Sequence, residues 1–497
     1  MHHRNAHHRL RIALAGGLAG FLLLATAGAA TAAELSEPDA GAAHSAVEGE
    51  TYVIATDTTF APFEFRDTSS GDLKGIDIDI LKAIADQQGF EVEIQSLGFQ
   101  AALSAVTSGQ ADGVIAGMSI TDERKETFDF SEPYFDSGVQ MAVAADDDTT
   151  KGYEDLAGKT VVAKSGAEGL AEAQKLAEKY DFTVKPLDQS ATMVESVKNG
   201  SAVALFDDYP VLAYGIAQGS GLKAVTDKIP GGQYGFAVNK GDNGELLAAF
   251  NDGLAKLKAT GEYDEILDTY LADPASQASS GGSFFDLIAD SAPALGKGLW
   301  NTVSITVVAF VIALVLGVVF GFMKIARSRV VRGIASVYVA IFRGTPVLVW
   351  AFLFYFGLPQ LTGAPGNIFW AGTATLALNA GAYLTEVIRG GLRAVDPGQM
   401  EAARSLGLGW GKSMQRVVVP QAVKISTPAI INQFVITLKD SSLLLTIGFA
   451  ELLYQAQQIY SANYRTTEML IIVGLMYFVV ITLLTWVANI VDRKVNK

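Results

Sequence analysis

The chain contains no cysteine among its 497 residues. Disulfide bonds, thiolate metal sites and cysteine nucleophiles are therefore excluded. Histidine is nearly as scarce, because the five histidines lie at positions 2, 3, 7, 8 and 44, ahead of the first strand-like segment. Histidine catalysis and histidine metal ligation are thereby excluded from the rest of the chain. We predict neither a metal site nor catalytic residues.

A complete phosphate-binding loop is also missing. Such a loop follows the pattern G-x-x-x-x-G-K-[ST], whose backbone N–H groups curl around a phosphate. The sequence carries the end of this pattern as Gly411-Lys412-Ser413. The position of the first glycine holds Leu406, and Gly407 is one residue out of register. The match is therefore incomplete, and its context has to decide what this stretch does.

Charge is distributed unevenly along the chain. Residues 34–290 contain 17 Lys/Arg against 45 Asp/Glu, whereas residues 291–497 contain 17 against 7. Half of all residues are hydrophobic and the mean hydropathy is +0.28, which is high for a soluble protein. An acidic soluble part thus precedes a basic, apolar part. Because the basic residues lie between long apolar runs, neither part is typical of a nucleic-acid-binding protein.

The first 33 residues have the organisation of a targeting segment. A basic stretch, MHHRNAHHRLR, is followed by an apolar run and by an A-x-A-like sequence that ends near Ala33. This order is typical of a secretory signal peptide, which we assign to residues 1–33. The apolar run is also long enough for an uncleaved membrane anchor. Both alternatives place the polar spacer at 34–49 and the segment after it outside the cytoplasm.

Residues 50–272 alternate between strand-like and helix-like patterns. The segments TYVIAT, FEVEIQSL, ADGVIAG, KTVVAK and SAVALF indicate strands, and IDILKAIADQQG and FQAALSAVTSGQ indicate amphipathic helices. This alternation predicts an α/β fold with mostly parallel sheets. Ligands of such folds bind at the loops beyond the strand ends.

Several of those loops carry charged or aromatic residues. Taken singly, each has an ordinary structural explanation: a surface ion pair for Arg124, the core for Phe60 and solvation for Lys164. Together with Asp207 and Asp208, they place a forked donor, an ammonium group, carboxylates and a ring at the strand ends. This combination indicates a small-molecule site.

The ordered motifs ATDTTFAPFEF, GIDIDILKAIA, AGMSITDERKETFDFSEPY, VAKSG and LAKLKATGEYDEIL resemble those of the polar amino acid solute-binding proteins of ABC importers. The resemblance covers residues 50–272. It implies a two-lobed α/β clamshell of periplasmic-binding-protein type II that closes on one amino acid. The implied hinge strands lie near 138–144 and 231–238. The implied lobes are 50–138 with 236–272, and 142–230.

The resemblance also implies how the ends of an amino acid are held. Arg124 would bind the carboxylate with a bidentate fork, and Gly117 and Ser119 would supply backbone and hydroxyl partners. Asp208, in the pattern Asp208-Tyr209-Pro210, would bind the ammonium group. Asp207 is the competing candidate for that role.

The side chain of the ligand would meet a second group of residues. Phe60 and Phe99 match family positions where two rings sandwich its aliphatic part. Asp57 and Lys164 would lie at its far end, and Gly166 belongs to the adjoining turn. A carboxylate acceptor beside an ammonium donor suits an amide. We therefore predict glutamine, with glutamate, asparagine or a basic amino acid as alternatives, although glutamine-binding relatives often carry histidine where this chain has Asp207.

Residues 296–497 have the pattern of a membrane domain, preceded by a linker and pre-membrane segment at 273–295. Five apolar runs are long enough to span a bilayer, namely 300–323, 334–359, 367–388, 427–448 and 469–491. Basic residues cluster after the first run, between the third and fourth runs, and at the C-terminus. The positive-inside rule makes those segments cytoplasmic and leaves the clamshell outside.

The stretch EAARSLGLGWGKSMQRVVVPQA resembles the EAA loop of ABC importer permeases. The residues in register are Glu401, Ala402, Ala403, Gly407 and Pro420. In that family the loop is a coupling helix that docks on a separate ATPase subunit. The resemblance therefore implies that ATP and Mg are bound by this partner and that the chain itself holds no cofactor. Permeases of this class dimerise, so we expect a homodimer in the cell membrane.

Three ionisable residues fall within the predicted spans, namely Glu386, Lys439 and Asp440. Such residues are candidates for a transport path, and the alternative is a structural ion pair.

The whole pattern predicts the fused receptor and permease subunit of an ATP-driven amino acid importer, which is not itself an enzyme. A ligand-gated channel and a dehydratase are the alternatives, but here no pore segment interrupts the clamshell.

Overall fold

The structure is a computed structural model, which describes residues 47–67, 71–271, 283–362 and 366–495. The predicted signal peptide at 1–33, residues 34–46 of the predicted spacer and residues 273–282 of the predicted linker lie outside the described residues.

The described part of the clamshell is built from fourteen strands and eight α-helices. The strands are β1 (Thr51–Asp57), β2 (Thr59–Phe60), β3 (Glu64–Arg66), β4 (Leu73–Lys74), β5 (Glu91–Leu97), β6 (Gly113–Val114), β7 (Phe128–Phe130), β8 (Phe135–Ala144), β9 (Thr160–Lys164), β10 (Thr183–Leu187), β11 (Ala204–Asp208), β12 (Leu222–Ala224), β13 (Ile229–Tyr234) and β14 (Ala237–Asn239). The helices are α1 (Ile76–Gln88), α2 (Phe99–Thr107), α3 (Asp122–Lys125), α4 (Glu168–Tyr180), α5 (Ser190–Lys198), α6 (Tyr209–Ala217), α7 (Gly244–Thr260) and α8 (Glu262–Leu271).

The first lobe has a five-stranded sheet in the order β5-β1-β6-β14-β7. Strand β1 pairs in parallel with β5 and β6, so its carboxyl end meets theirs at one edge. Helix α1 covers this sheet because Ile76, Ile80 and Ile84 recur on one face and are fully buried. The helix ends at Gly89, whose φ of 79° is the left-handed conformation that glycine adopts without strain.

The second lobe has its own sheet in the order β10-β9-β11-β8-β12, with β13 pairing beside β8. Two crossings join the lobes, at residues 131–134 and 235–236, between β7 and β8 and between β13 and β14. The second predicted hinge, 231–238, contains the observed crossing, whereas the first is corrected. Residues 138–144 already belong to the second sheet, because β8 starts at Phe135 and pairs there with Tyr234 of β13.

The membrane half is entirely helical in its described residues. Its α-helices are α9 (Phe284–Ile325), α10 (Arg329–Gly344), α11 (Val347–Phe352), α12 (Leu358–Thr362), α13 (Ile368–Ala394), α14 (Pro397–Ser405), α15 (Trp410–Ser413), α16 (Val419–Asp440), α17 (Leu452–Asn463) and α18 (Thr466–Val495). Helical turns of other types continue the chain at Leu353–Gly357, Met414–Val418 and Ser441–Ile447.

Three described helical segments are long and apolar enough to cross a membrane: Phe284–Ile325, Trp410–Ile447 and Thr466–Ala488. A fourth span results if α10 and the segment Val347–Thr362, which meet at a bend of 102°, are taken together. The first, fourth and fifth predicted runs fall on the three helices, and the second falls on the bent pair. The third falls on α13, which has 27 residues but is rich in Ala, Gly and Thr.

Helix α13 packs closely against α9 because glycine faces it. A Cβ atom added at Gly317 would lie 2.6 Å from Cβ of Leu384, and one at Gly321 would lie 2.9 Å from Cγ2 of Ile388. Small residues at such positions let membrane helices approach each other. The low hydropathy of α13 therefore reflects its central place in the helical domain.

Candidate ligand-binding cleft

The lobes are closed over a cavity of about 10 Å³, which is the size of one water molecule. Seven of the predicted residues line this cavity together: Phe60, Phe99, Gly117, Ser119, Arg124, Lys164 and Asp208. They come from both lobes and from five different strand ends or turns. The structure thus brings together the aromatic, cationic and anionic groups that the sequence separates by up to 148 positions.

Arg124 lies in the short helix α3, which the side chain of Thr121 caps. Its Nη1 donates to the carbonyl of Ser119 at 2.7 Å, and its Nη2 donates across the cleft to the carbonyl of Gly166 at 2.6 Å. The guanidinium carbon lies 5.3 Å from the centre of the Phe99 ring. Burial lowers the pKa of Arg124. A guanidinium has five N–H donors, so this orientation leaves donors for a carboxylate.

Lys164 and Asp57 form a buried ion pair that joins the two lobes. Nζ of Lys164 donates to Oδ2 of Asp57 at 2.7 Å, and the two side chains are only 4% and 2% exposed. The ammonium also lies 4.2 Å from the centre of the Phe60 ring. Burial lowers the pKa of Lys164, but the carboxylate outweighs burial and the pKa is raised. The two groups predicted to meet a ligand side chain separately are therefore one neutral pair.

The two candidate carboxylates at the end of β11 point to opposite sides, as consecutive strand residues do. Asp208 lines the cavity, and its Oδ2 accepts a hydrogen bond of 2.6 Å from the hydroxyl of Tyr234. Asp207 instead accepts from the hydroxyl of Ser190 at 2.6 Å and does not line the cavity. Burial and the neighbouring Asp207 raise the pKa of Asp208 to about 7.

Glycine is required at two of the predicted positions. Gly117 has a φ of 52°, and a Cβ atom there would lie 2.5 Å from the Phe60 ring. Its N–H donates at 2.8 Å to the buried carboxylate of Asp77, a contact that the sequence did not predict. Gly166 has a φ of 71°, and a Cβ atom there would collide with Nε2 of Gln100 at 1.8 Å. Each glycine therefore holds the backbone close to the cleft.

Three further residues line the cavity and were not predicted, namely Ala116, Ala167 and Glu168. Glu168 is the first residue of α4 and follows the Lys164-Ser165-Gly166 turn after one residue, Ala167. Its carboxylate faces strand β13, because a Cβ atom at Gly232 would lie 2.1 Å from its Oε2. The sequence feature that could have identified Glu168 as a cleft residue is its position in the first turn of the helix that follows strand β9.

The ionisable residues of the membrane half are not one cluster in the described structure. Glu386 accepts from Nζ of Lys324 at 3.0 Å and from Nε of Arg389 at 2.6 Å. The structure therefore shows the ion pair that was the alternative for Glu386. Lys439 is exposed and Asp440 half-buried at the end of α16, and neither forms an ion pair within the described residues.

The EAA-like stretch folds as two short helices joined by a glycine turn. Glu401 and Ala402 lie exposed on α14, and Ala403 is buried beneath them. Gly407 ends the helix with a φ of 88°. The predicted Pro420 begins α16.

The remaining residues of this stretch leave large apolar side chains in the open. Leu406 is 85% exposed and Trp410 is 52% exposed. Gly411-Lys412-Ser413 is part of the helical turn α15, and the Ser413 hydroxyl is buried and donates to the carbonyl of Gly409 at 3.2 Å. The serine therefore serves helix packing in this structure, whereas Gly411 is exposed.

Comparison with known families assigns both halves. Residues 52–273 match the family of bacterial extracellular solute-binding proteins, family 3. Residues 307–497 match the binding-protein-dependent transport system inner membrane component.

Two permeases are similar to the second half. The arginine transport system permease protein ArtQ of Bacillus subtilis is 41% identical over 204 residues, which are 41% of this chain and 93% of that protein. A Rickettsia bellii permease named for glutamine transport, GlnP, is 34% identical over 198 residues, which are 40% of this chain and 91% of that protein.

Among solved structures, two are similar to the first half. The second substrate-binding domain of Lactococcus lactis GlnP is 48% identical, covers 45% of this chain and 95% of that domain, and has a TM-score of 0.36. An ancestral arginine-binding protein, solved with arginine, is 39% identical, covers 44% of this chain and 97% of that protein, and has a TM-score of 0.42.

The resemblance and the fold class predicted from the sequence are thereby confirmed. A type II clamshell is followed by a helical, multi-pass membrane domain, and the relatives of that domain are amino acid permease subunits. The chain belongs to the inner-membrane permeases of amino acid ABC transporters and carries a family 3 solute-binding domain fused ahead of the permease.

Proposed function

We propose that this chain imports glutamine, as the receptor and permease subunit of an ATP-driven transporter. The observation that carries this proposal is the common cavity of Arg124 and Asp208, which offers a forked cation and a carboxylate to the two ends of a zwitterion. Gly117 and Ser119 contribute at the carboxylate end. Only an amino acid with both groups free satisfies both charges.

The buried pair of Lys164 and Asp57 favours an amide side chain. Lys164 presents its ammonium to the cleft, where an amide carbonyl can accept a hydrogen bond from it, and the carboxylate of Asp57 behind it neutralises its charge. The pair is neutral, so a charged ligand side chain would remain unpaired in a buried site. The rings of Phe60 and Phe99 enclose the aliphatic part between the two ends.

The transport step depends on partners. We propose that the clamshell faces the outside, that the stretch from Glu401 to Pro420 faces the cytoplasm, and that two copies form the pathway. An ATPase subunit, which binds ATP and Mg, would dock on α14. The exposed side chains of Leu406 and Trp410 support this docking, because apolar side chains in the open at a turn suit a protein contact.

Calorimetric titration of the purified full chain with glutamine, arginine, glutamate and asparagine tests the substrate. We expect glutamine to bind most tightly. Uptake of labelled glutamine into liposomes, with the ATPase subunit and ATP, tests transport. Uptake that proceeds without ATP would point to a channel and would contradict the proposal.

Arginine is the second candidate, and Glu168 is the observation that favours it. This carboxylate lines the cavity, and no lysine or arginine forms an ion pair with it among the described residues. Glu168→Gln separates the two substrates. If arginine is the ligand, the substitution lowers its affinity at least tenfold, since a charged hydrogen bond contributes about 1.5–3 kcal/mol. If glutamine is the ligand, its affinity changes little.

A further inference from the structure

A second, larger cavity lies between the clamshell and the membrane helices. Its volume is about 520 Å³, within the usual range of pockets that bind small molecules. Both lobes contribute to its lining, for example through Phe99 and Ser165, and the permease contributes Phe356 and Gln457. We call this space the interdomain chamber.

The chamber adjoins the ligand cleft. Phe99 lines both cavities. The buried ion pair is shared in the same way, because Lys164 lines the cleft and Asp57 lines the chamber. The Phe99 ring and the Lys164–Asp57 pair therefore lie between the two spaces. Because Lys164 and Asp57 belong to different lobes, opening of the clamshell pulls that pair apart.

Helix α17 of the permease closes the chamber and contacts both lobes. Oε1 of Gln458 accepts a hydrogen bond of 2.5 Å from the hydroxyl of Thr58 in the first lobe. The hydroxyl of Tyr460 donates to Oε1 of Gln189 in the second lobe at 3.1 Å. One helix thus holds the closed clamshell over the permease with the chamber between them.

The side chain of Gln457 is the unusual group of the chamber. It is only 8% exposed, it lines the chamber, and it makes no hydrogen bond within the described residues. Its amide offers two donors and one acceptor. The amide is not among the fully buried unpaired groups of the described structure, so it meets the open space of the chamber, where its donors and acceptor are free for a ligand.

We propose that the interdomain chamber is a hand-over site, where the Gln457 amide binds the free polar amino acid after it leaves the clamshell. This inference rests on the proposed function. Among the described residues, those that line the chamber include no lysine or arginine, whereas the clamshell offers Arg124. The chamber therefore binds the carboxylate more weakly than the clamshell does, because hydrogen bonds from a charged donor are the stronger ones. Weak binding suits a site that the amino acid must leave.

The test compares two glutamines of the same helix in the full chain, reconstituted with its ATPase subunit. Gln457→Ala should lower uptake ~3- to 10-fold, the loss expected for one hydrogen bond. The dissociation constant of the clamshell and the stimulation of ATP hydrolysis by the amino acid should be unchanged. Gln455→Ala is the matched control. Gln455 is also 8% exposed but packs against Gly298 of α9 instead of lining the chamber.

Equal uptake by the two alanine variants would overturn the hand-over site. A wild-type chain that neither binds nor imports an amino acid would overturn the proposed function itself.

A second measurement follows occupancy of the chamber without transport. The chain has no cysteine of its own, so a thiol reagent reacts only at an introduced cysteine. A small methanethiosulfonate reagent should modify the Gln457→Cys variant more slowly when glutamine is saturating. Unchanged modification would contradict occupancy of the chamber.

Discussion

The two halves of the molecule differ in what they bury. The clamshell buries five charged residues to at most 4% exposure, namely Asp57, Asp77, Lys164, Asp207 and Asp208. In the described structure, every large hydrophobic side chain that is openly exposed lies at or after position 285. The membrane helices show the reverse pattern: Val311, for example, is 59% exposed.

The difference follows from the surroundings of each half. The clamshell keeps its apolar side chains from water and uses buried charges at the cleft. The permease presents apolar side chains to lipid. A buried charge in the clamshell therefore lines the cleft, as Asp208 does, or supports it through a hydrogen bond, as Asp77 does for Gly117. An exposed apolar side chain of the permease instead contacts lipid.

The largest expected effect comes from breaking the buried ion pair. Lys164→Ala leaves the carboxylate of Asp57 buried without its partner, which typically costs about 3–5 kcal/mol. Thermal unfolding of the full chain should show this loss in the clamshell transition. Lys240→Ala is the control, because Lys240 pairs with Asp129 at the surface, where a pair contributes about 0–1 kcal/mol. Equal losses in the two variants would contradict the role of burial.

The next effect tests the outward apolar surface. Val311→Lys should cost about 2.5–3.5 kcal/mol, the insertion cost of a charge near the centre of a spanning helix. Less protein should then reach the membrane fraction. Val311→Ile should be neutral. If the lysine variant inserts as well as wild type, the exposed face of α9 does not contact lipid.

A slightly smaller effect concerns ligand affinity. Arg124→Ala should raise the dissociation constant for glutamine ~100-fold, since a bidentate, charge-assisted contact with the carboxylate is lost. Calorimetry measures the change. The neighbouring Lys125→Ala, in the same short helix but exposed, should bind normally. Tight binding by the Arg124 variant would show that another group holds the carboxylate.

The smallest effect is the pH dependence of binding. The pKa of Asp208 is raised to about 7, first by burial and then by Asp207. Only the ionised carboxylate pairs with the ligand ammonium. Above pH 7 the affinity should therefore be constant, and below pH 7 it should fall by up to about tenfold per pH unit.

Titrations between pH 5.5 and 8 measure this slope, and Asp208→Asn should abolish it. A dissociation constant that does not change over this range would mean that Asp208 is already ionised at pH 5.5 or does not contact the ligand.

Sequence patterns predicted the clamshell well because its strands and turns are local features. Arg124, Asp208 and the glycines stand at strand ends or turns, and the positions of such ends follow from alternation and turn residues. The first crossing between the lobes was misplaced because nothing in the sequence pattern before β8, which lies wholly in the second sheet, marks where the chain leaves the first lobe.

The features that the sequence did not predict arise from contacts between distant segments. The ion pair of Lys164 with Asp57 joins residues 107 positions apart, and each has an ordinary alternative when considered alone. Glu168 is one of several acidic residues in its segment. Helix α13 is less apolar than the other spans because it packs among them. Its length matches a membrane span, but the mean hydropathy of its most apolar stretch is lower than that of the three helices that qualify on composition.

The contact between Thr58 and Gln458 spans 400 positions and has a consequence for biogenesis. Translation proceeds at about 5–20 residues per second, so roughly 10–40 s pass between completion of the clamshell and synthesis of α17. During that interval the clamshell exists without the helix that later joins its lobes. We therefore expect it to fold and resist proteolysis by itself, with its docking on the permease among the last steps in maturation of the chain.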